Sequence, residues 1–326
     1  MMQDKVVRAN LTRMIREERL FDKRDHVLVA VSGGQDSLHV LRWLTDNSLP
    51  ADIQPIVSAA YINHRLRTDA DAEQALVERV FAQTPNLASK TIRQLTWDVV
   101  PTTGVEELAR EKRYEALVDI AREVGANAIV TAHHKGDQVE TILYKLARGS
   151  RLTQLLGMAK KQQLQGDIDL IRPVLQLDKA MLGQLVNEPL VEWVEDYTNA
   201  DETFARNRMR HTVVPALEEI NEQTKDHVIA FVDQLAALQK LASGSINVHV
   251  KALEDGRLDW RVDEAVLLLV LQTWLTKKHV FAVKDSQLTQ AIQLMRNPNV
   301  NRGFIDLGNG LQLERFENYL LLSRKE

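Results

Sequence analysis

The chain has 326 residues, 44% of them hydrophobic and 26% charged, with a formal net charge of −4 and no cysteine. At about 150 residues per domain there is room for two domains. The composition excludes a disordered chain, a collagen-like repeat and a disulfide scaffold. The absence of cysteine also excludes thiolate-held zinc, cysteine-held iron–sulfur clusters and persulfide chemistry on the chain itself. No apolar run approaches the roughly 18 residues of a membrane span. The opening MMQDKVVRANLTRMIREERLFD is charged throughout and lacks the apolar core of a secretory signal. A cytoplasmic protein with no membrane partner is expected. With a net negative charge, any contact with nucleic acid has to come from a local basic patch.

In chain order, HVLVAVS (His26 to Ser32) is a β-branched run that stops at Gly33-Gly34 and predicts a buried strand. Leu38, Leu41 and Leu44 then recur at helical spacing. Ile53 to Tyr61 predicts a second strand, Asp69 to Phe81 a helix and Ser89 to Leu95 a third strand. Val105 to Val124 predicts a long amphipathic helix with Gly125 as its stop. Asn127 to Ala132 predicts a fourth strand, followed by a helix near Gln138 to Ala147. This alternation predicts an α/β fold with a doubly wound, mainly parallel sheet, whose ligands sit outside the carboxyl ends of the strands. Beyond residue 150 the strand signal fades. Lys160 to Asp169 is polar and predicts a loop, while Asp178–Asn187, Thr212–Ile220, Lys225–Leu241, Asp263–Lys278 and Asp285–Met295 predict helices. The last stretch alternates around Asn309-Gly310, a strong hairpin signal. The break is expected between Pro215 and Lys225, giving a catalytic α/β domain over 1–218 and a mostly helical domain ending in a β-hairpin over 219–326.

Four motifs carry the chemistry. In Ser32-Gly33-Gly34-Gln35-Asp36-Ser37, glycines permit close backbone approach, helix-end amides suit an anion, and two serines add hydroxyls. Asp36 would repel a phosphate unless Mg²⁺ bridged the two. The loop has no Walker A lysine, which argues against a kinase-like or GTPase-like P-loop. A plain turn with an Asp cap is the bland alternative. The second motif, Tyr61 to Arg67, brings His64, Arg65 and Arg67 to the same rim. In the third, Thr131 to Thr141 (TAHHKGDQVET), Asp137 and Glu140 share one face of a first helical turn, where acids also simply complement the helix dipole. A His-His-Asp-Glu zinc site lacks the usual spacing. The fourth joins Asp196-Tyr197-Thr198-Asn199 to Arg206, Arg208 and Arg210. Arginines at alternate positions do not share a helical face, so an end or loop gripping phosphates is expected. Lys145, Arg148, Arg151, Lys160 and Lys161 form a second basic stretch with no acid between Tyr144 and Lys161. Surface solubility is the plain reading of both basic clusters.

Taken together, SGGQDS, INHRLR, EELAREKRYEAL, TAHHKGDQVET, IRPVL and DYTNADETFARNRMRH resemble the N-type ATP pyrophosphatases of the PP-loop family, and within it the lysidine-forming branch, strongly over residues 25 to 215. The terminal RGFIDLGNGLQLERFENYLLL is similar to that branch's second domain. The resemblance implies a ligase that attaches free L-lysine to C2 of the wobble cytidine (C34) of tRNA(Ile) with a CAU anticodon, using ATP and Mg²⁺. It implies that Ser32, Gly33, Gly34, Gln35, Asp36 and Ser37 cradle pyrophosphate, that Asp36 holds the metal and that Arg113 balances phosphate charge. It further implies that His64 orients a base, that Asp137 and Glu140 hold lysine or share the metal, and that Arg206, Arg208 and Arg210 hold tRNA. Two departures stand out: the family usually has a second acid where this chain has Gly136, and Ser where it has Thr198. The alternatives are an ammonia-using synthetase, a tRNA thiolase (disfavoured by the missing cysteines) and a non-catalytic RNA-binding homologue. The oligomeric state, a homodimer included, stays open.

Overall fold

The computed structural model describes residues 2–65, 70–97, 105–150, 155–187, 190, 192–194, 205–280 and 283–325, without the side chains of 2–4, 106, 205 and 206. The chain divides into two compact units, Met1–Asp233 and Gln234–Glu326.

The first unit holds a six-stranded sheet in the order β3-β2-β1-β4-β6-β5. Its strands are β1 (His26–Val31), β2 (Ile56–Asn63), β3 (Leu87–Gln94), β4 (Ala128–Val130), β5 (Lys161–Gln165) and β6 (Ile168–Ile171). All neighbours pair in parallel except β5, which runs antiparallel to β6. The helices are α1 (Met2–Glu17), α2 (Gln35–Thr45), α3 (Ala70–Gln83), α4 (Val105–Val124) and α5 (Lys135–Ala147). Apolar residues of β1 serve both faces. Val27, Val29 and Val31 join one core with Leu11 and Ile15 of α1, Leu41 of α2 and Val77 of α3. Leu28 joins the other core with Leu117, Ile120 and Ala121 of α4. Burial on both faces is why the strand reads as a continuous apolar run rather than an alternation.

The structure bears out the doubly wound, mainly parallel sheet, and it adds elements that the pattern hid. The charged N-terminal stretch is the helix α1, whose Ile15 is fully buried. The loop expected over Lys160 to Asp169 is instead the β5–β6 hairpin. β5 (KQQLQ) is an exposed edge strand with polar side chains, so it carries no apolar signature. The helix expected over Asp178 to Asn187 is cut to α6 (Lys179–Leu182). The helix expected from Thr212 begins earlier, as α7 (Ala205–Arg208), a π-helical turn (Met209–Val213) and α8 (Val214–Ile220). The helix expected over Lys225 to Leu241 runs further, as α9 (Thr224–Glu254), and the boundary between the two units falls inside it.

The second unit packs the end of α9 with α10 (Glu264–Lys277), α11 (Asp285–Arg296) and an antiparallel sheet of β7 (Arg302–Gly308), β8 (Leu311–Phe316) and β9 (Tyr319–Arg324). The Asn309-Gly310 turn joins β7 to β8 as expected, with both residues at positive φ, and β9 adds a third strand. Leu253, Leu267, Leu271, Ile292 and Leu313 form this unit's own core. No helix among the described residues is long and apolar enough to cross a membrane. Leu271 is fully buried in the second core. Leu271→Ala should therefore lower stability by about 2–5 kcal/mol, read as a shift in the urea midpoint of the unit's transition.

Candidate active site

β1 and β4 lie side by side in the sheet although two strands and three helices separate them in the chain. Their carboxyl ends are therefore the switch point of the winding, where open α/β sheets bind ligands. The segment Ser32 to Ser37 leaves β1 there, and Thr131 to His134 leaves β4. Gly33 has φ +74°, and a Cβ on it would come within 3.1 Å of Glu73 Cγ. The backbone conformation favours glycine, and any larger residue would also have to push Glu73 aside. Gly34 is the N-cap of α2 and supplies no side-chain cap, so the first amides of the helix suit an anion. Ser37 braces the loop. Its hydroxyl donates to Gly34 O at 2.9 Å and accepts from Ser32 N at 3.1 Å. Ser32 is exposed and Gly34 is half-buried, while Gly33 is closed over.

A cavity of about 500 Å³ opens on this loop, within the roughly 300–1,000 Å³ of small-molecule sites. It brings together Ser32, Asp36, Ser37, His64 and Arg113, with Arg65 and His133 on the same wall. His64 is held by its backbone, whose carbonyl accepts from Trp97 Nε1 at 2.7 Å. His133 Nδ1 lies 2.9 Å from Thr131 Oγ1. Arg67 and Asp196 to Asn199 lie outside the described residues.

Asp36 is the most pointed feature. Its Oδ1 is buried with no hydrogen-bond partner. Its Oδ2 lies 3.4 Å from Lys179 Nζ and 3.7 Å from His134 Nε2. Among the described residues no group of three His, Cys, Asp or Glu side chains could hold a metal, so the His-His-Asp-Glu combination does not assemble a zinc site. A single carboxylate with a spare buried oxygen instead fits Mg²⁺, which is usually bound through one or two carboxylates together with substrate phosphates.

A second cluster sits on the first turns of α5. His134 is the N-cap of a capping box: Asp137 Oδ2 accepts from His134 N at 2.9 Å, and His134 Nδ1 accepts from Asp137 N at 3.4 Å. Acceptance at Nδ1 puts the proton of the neutral ring on Nε2, the atom facing Asp36. A Cβ at Gly136 would come within 2.8 Å of the His134 ring, so any side chain at this position requires a different ring placement. Asp137 and Glu140 are both buried, and Arg210 spans them. Its guanidinium donates to Glu140 at 2.7 and 3.1 Å and to Asp137 Oδ1 at 3.0 Å. Burial alone would lower the Arg210 pKa. The hydrogen bond and charge of Glu140, with the charges of Asp137 and Asp36, outweigh it and raise the value.

Arg206, Arg208 and Arg210 all fall in helical backbone. They lie in α7 and the π-helical turn, where Arg208 is exposed and Arg210 turns inward; the Arg206 side chain lies outside the described residues. The second basic stretch is largely engaged within the chain. Lys160 pairs with Glu18, Lys161 with Asp169 at 3.1 Å, and Lys145 reaches Gly157 O at 3.3 Å, its pKa lowered by burial. Arg148 lies over the Tyr144 ring, and Arg151 is outside the described residues. Sequence reasoning gave no role to His133, His134 or Lys179. Adjacent histidines at a strand end were a usable signal, whereas Lys179 carried none.

The chain belongs to the PP-loop family, whose domain matches residues 3–217. Three relatives are tRNA(Ile)-lysidine synthases: from Lactiplantibacillus plantarum at 38% identity (85% of this chain, 62% of the relative), Thermotoga sp. strain RQ2 at 31% (94% and 72%) and Streptococcus thermophilus at 29% (97% and 70%). Within the PP-loop proteins the chain thus falls in the tRNA(Ile)-lysidine synthase family, spanning about two thirds of the length of these relatives. The fold is also similar to that of the U34-tRNA thiolase from Methanococcus maripaludis with its [4Fe-4S] cluster, at 14% identity and a TM-score of 0.51, covering 70% of this chain and 78% of that one.

Removing Arg210 leaves two buried carboxylates facing each other. Arg210→Met should destabilise the first unit by about 1–3 kcal/mol, discounted from the larger cost typical of a fully buried pair because the guanidinium is partly solvated. A lowered thermal midpoint at neutral pH that recovers partly as the carboxylates are protonated checks this.

Proposed function

We propose that the chain is a tRNA(Ile)-lysidine-forming ligase. It activates the C2 oxygen of the wobble cytidine (C34) of tRNA(Ile) with a CAU anticodon by adenylation, then replaces that oxygen with the ε-amino group of free lysine. Single-domain details such as the tRNA contacts of 219–326, a homodimer and a cytoplasmic setting belong to the same reading. An amine does not expel oxide from a pyrimidine carbonyl, so the oxygen first needs a better leaving group. Attack of O2 on the α-phosphate of ATP breaks the bond to the β-phosphate, and the electron pair leaves with pyrophosphate. The amine of lysine then attacks C2, loses a proton, and AMP departs with the oxygen.

The observation that carries this reading is the cavity at the switch point, where the braced Ser32–Ser37 loop, Asp36, His64 and Arg113 face one space. In this reading the loop amides and hydroxyls of Ser32 to Ser37 hold the polyphosphate, and the exposed Ser32 lies at the cavity mouth. Asp36 would hold Mg²⁺ through its spare oxygen; the ion neutralises phosphate charge when bound. Arg113 balances charge at the α-phosphate, and His64 orients the base or nucleotide. Asp137 and Glu140 bind the lysine ammonium. With Arg210 between them this cluster keeps one net negative charge, enough to attract a single ammonium. The attacking ε-amine has to lose its proton, which a partly desolvated pocket away from these carboxylates favours. Arg206 and Arg208 remain for tRNA phosphates.

Incubation with ATP, labelled lysine and bulk tRNA should place label in tRNA with release of AMP and pyrophosphate. Pyrophosphate release without tRNA would instead identify a small-molecule synthetase, and tight tRNA binding without turnover a binding protein. Asp36→Asn keeps the side-chain volume but removes the charge, and should reduce pyrophosphate release at least about 10²-fold. Near-normal release would remove Asp36 from the mechanism.

A further inference from the structure

The Ser32–Ser37 loop has no lysine of its own, yet a departing pyrophosphate carries several negative charges that one cation shared with Asp36 does not balance. We infer that Lys179 supplies the missing cation and binds the β- and γ-phosphates of ATP. This rests on the reading of the loop as a polyphosphate cradle and adds a residue to it.

Three observations converge on Lys179. Its ammonium lies 3.4 Å from Asp36 Oδ2, so it sits within reach of anything bound at that carboxylate. Its side chain is 60% exposed, so the head group can leave Asp36 for a phosphate without uncovering a buried surface. Its backbone, by contrast, is held on both sides. The preceding Asp178 accepts from Lys135 Nζ, at the start of α5, at 2.8 Å, and Lys135 also donates to Asp226 at 2.7 Å. Three residues on, Leu182 is fully buried in the main core. A fixed base with a solvated, movable cation suits a group that releases its product each turnover.

Asp36 lines the cavity, whereas Lys179 approaches Asp36 from outside that lining. On this inference a nucleoside monophosphate seated in the cavity would leave Lys179 untouched, only the distal phosphates would reach it, and the site would distinguish the two halves of ATP. The step itself is unchanged: the bond from the α-phosphorus to the bridging oxygen breaks, and its electron pair stays on pyrophosphate, where the Lys179 ammonium offsets the charge.

The test compares Lys179→Met and Lys179→Arg with the unaltered chain, using Asp36→Asn as control. Calorimetric titration with inorganic pyrophosphate and, separately, with AMP is carried out in the presence of Mg²⁺. Lys179→Met should weaken pyrophosphate binding about 10-fold or more while leaving AMP within about 2-fold, and Lys179→Arg should recover most of the loss. The KM for ATP should rise in parallel in the tRNA-dependent assay. Unchanged pyrophosphate affinity in Lys179→Met overturns the inference, as does an equal loss of AMP and pyrophosphate binding. If the unaltered chain releases no pyrophosphate with ATP, tRNA and lysine, the underlying reading falls and this inference falls with it. If the unaltered chain is active, Asp36→Asn is not and Lys179→Met is normal, only the role of Lys179 is overturned.

Discussion

A carboxylate oxygen buried without a partner sets the terms for the rest of this site. Asp36 stands on the first turn of α2, beside amides that suit an anion, and its Oδ1 has neither water access nor a protein donor. Leaving such a group unmatched costs free energy, so the position is retained where a ligand completes it. What surrounds Asp36 is consistent with that demand. Lys179 and His134 approach its other oxygen, and the charge of Arg210 is coupled to it, yet none reaches Oδ1. The local structure is balanced for a cation that arrives with its own anionic partner.

The same economy of charge links the two halves of the proposed reaction. Asp137 is at once a capping-box member, an acceptor for Arg210 and a neighbour of the His134 ring that faces Asp36. One helix start thus connects the Ser32–Ser37 loop to the carboxylate pair. The π-helical turn contributes to this. Its wider turn brings Arg210 inward while Arg208, two residues earlier, stays exposed. Such turns frequently mark functional positions in helices. An undistorted helix would give these side chains a different angular relation.

How much of this was legible in the residues depended on the kind of signal. The central strands were readable because both faces are buried and β-branched residues crowd them, as at Val27 to Val31. β5 was not, since an edge strand facing water has no reason to be apolar. α1 was hidden by the charged face around Leu11 and Ile15. The switch-point loop announced itself through Gly33, where a side chain would be strained by the positive φ and would press on Glu73. Arginine spacing gave no sign of the π-helical turn, from which Arg210 reaches Asp137 and Glu140. Lys179 was invisible because a lone lysine opening a four-residue helix has no pattern around it; only its distance to Asp36 marks it.

Gly136 shows how a missing side chain can be used by packing: the His134 ring occupies the adjoining space to within 2.8 Å of where a Cβ would lie. The ring is held there by its bond from Asp137 N, so its Nε2 edge faces Asp36. The next residue back, Lys135, carries a positive charge, which Asp178 and Asp226 satisfy. The start of α5 is therefore fixed on both sides of Gly136: the capping box and the Lys135 bridge both hold the backbone beneath the Asp137 carboxylate.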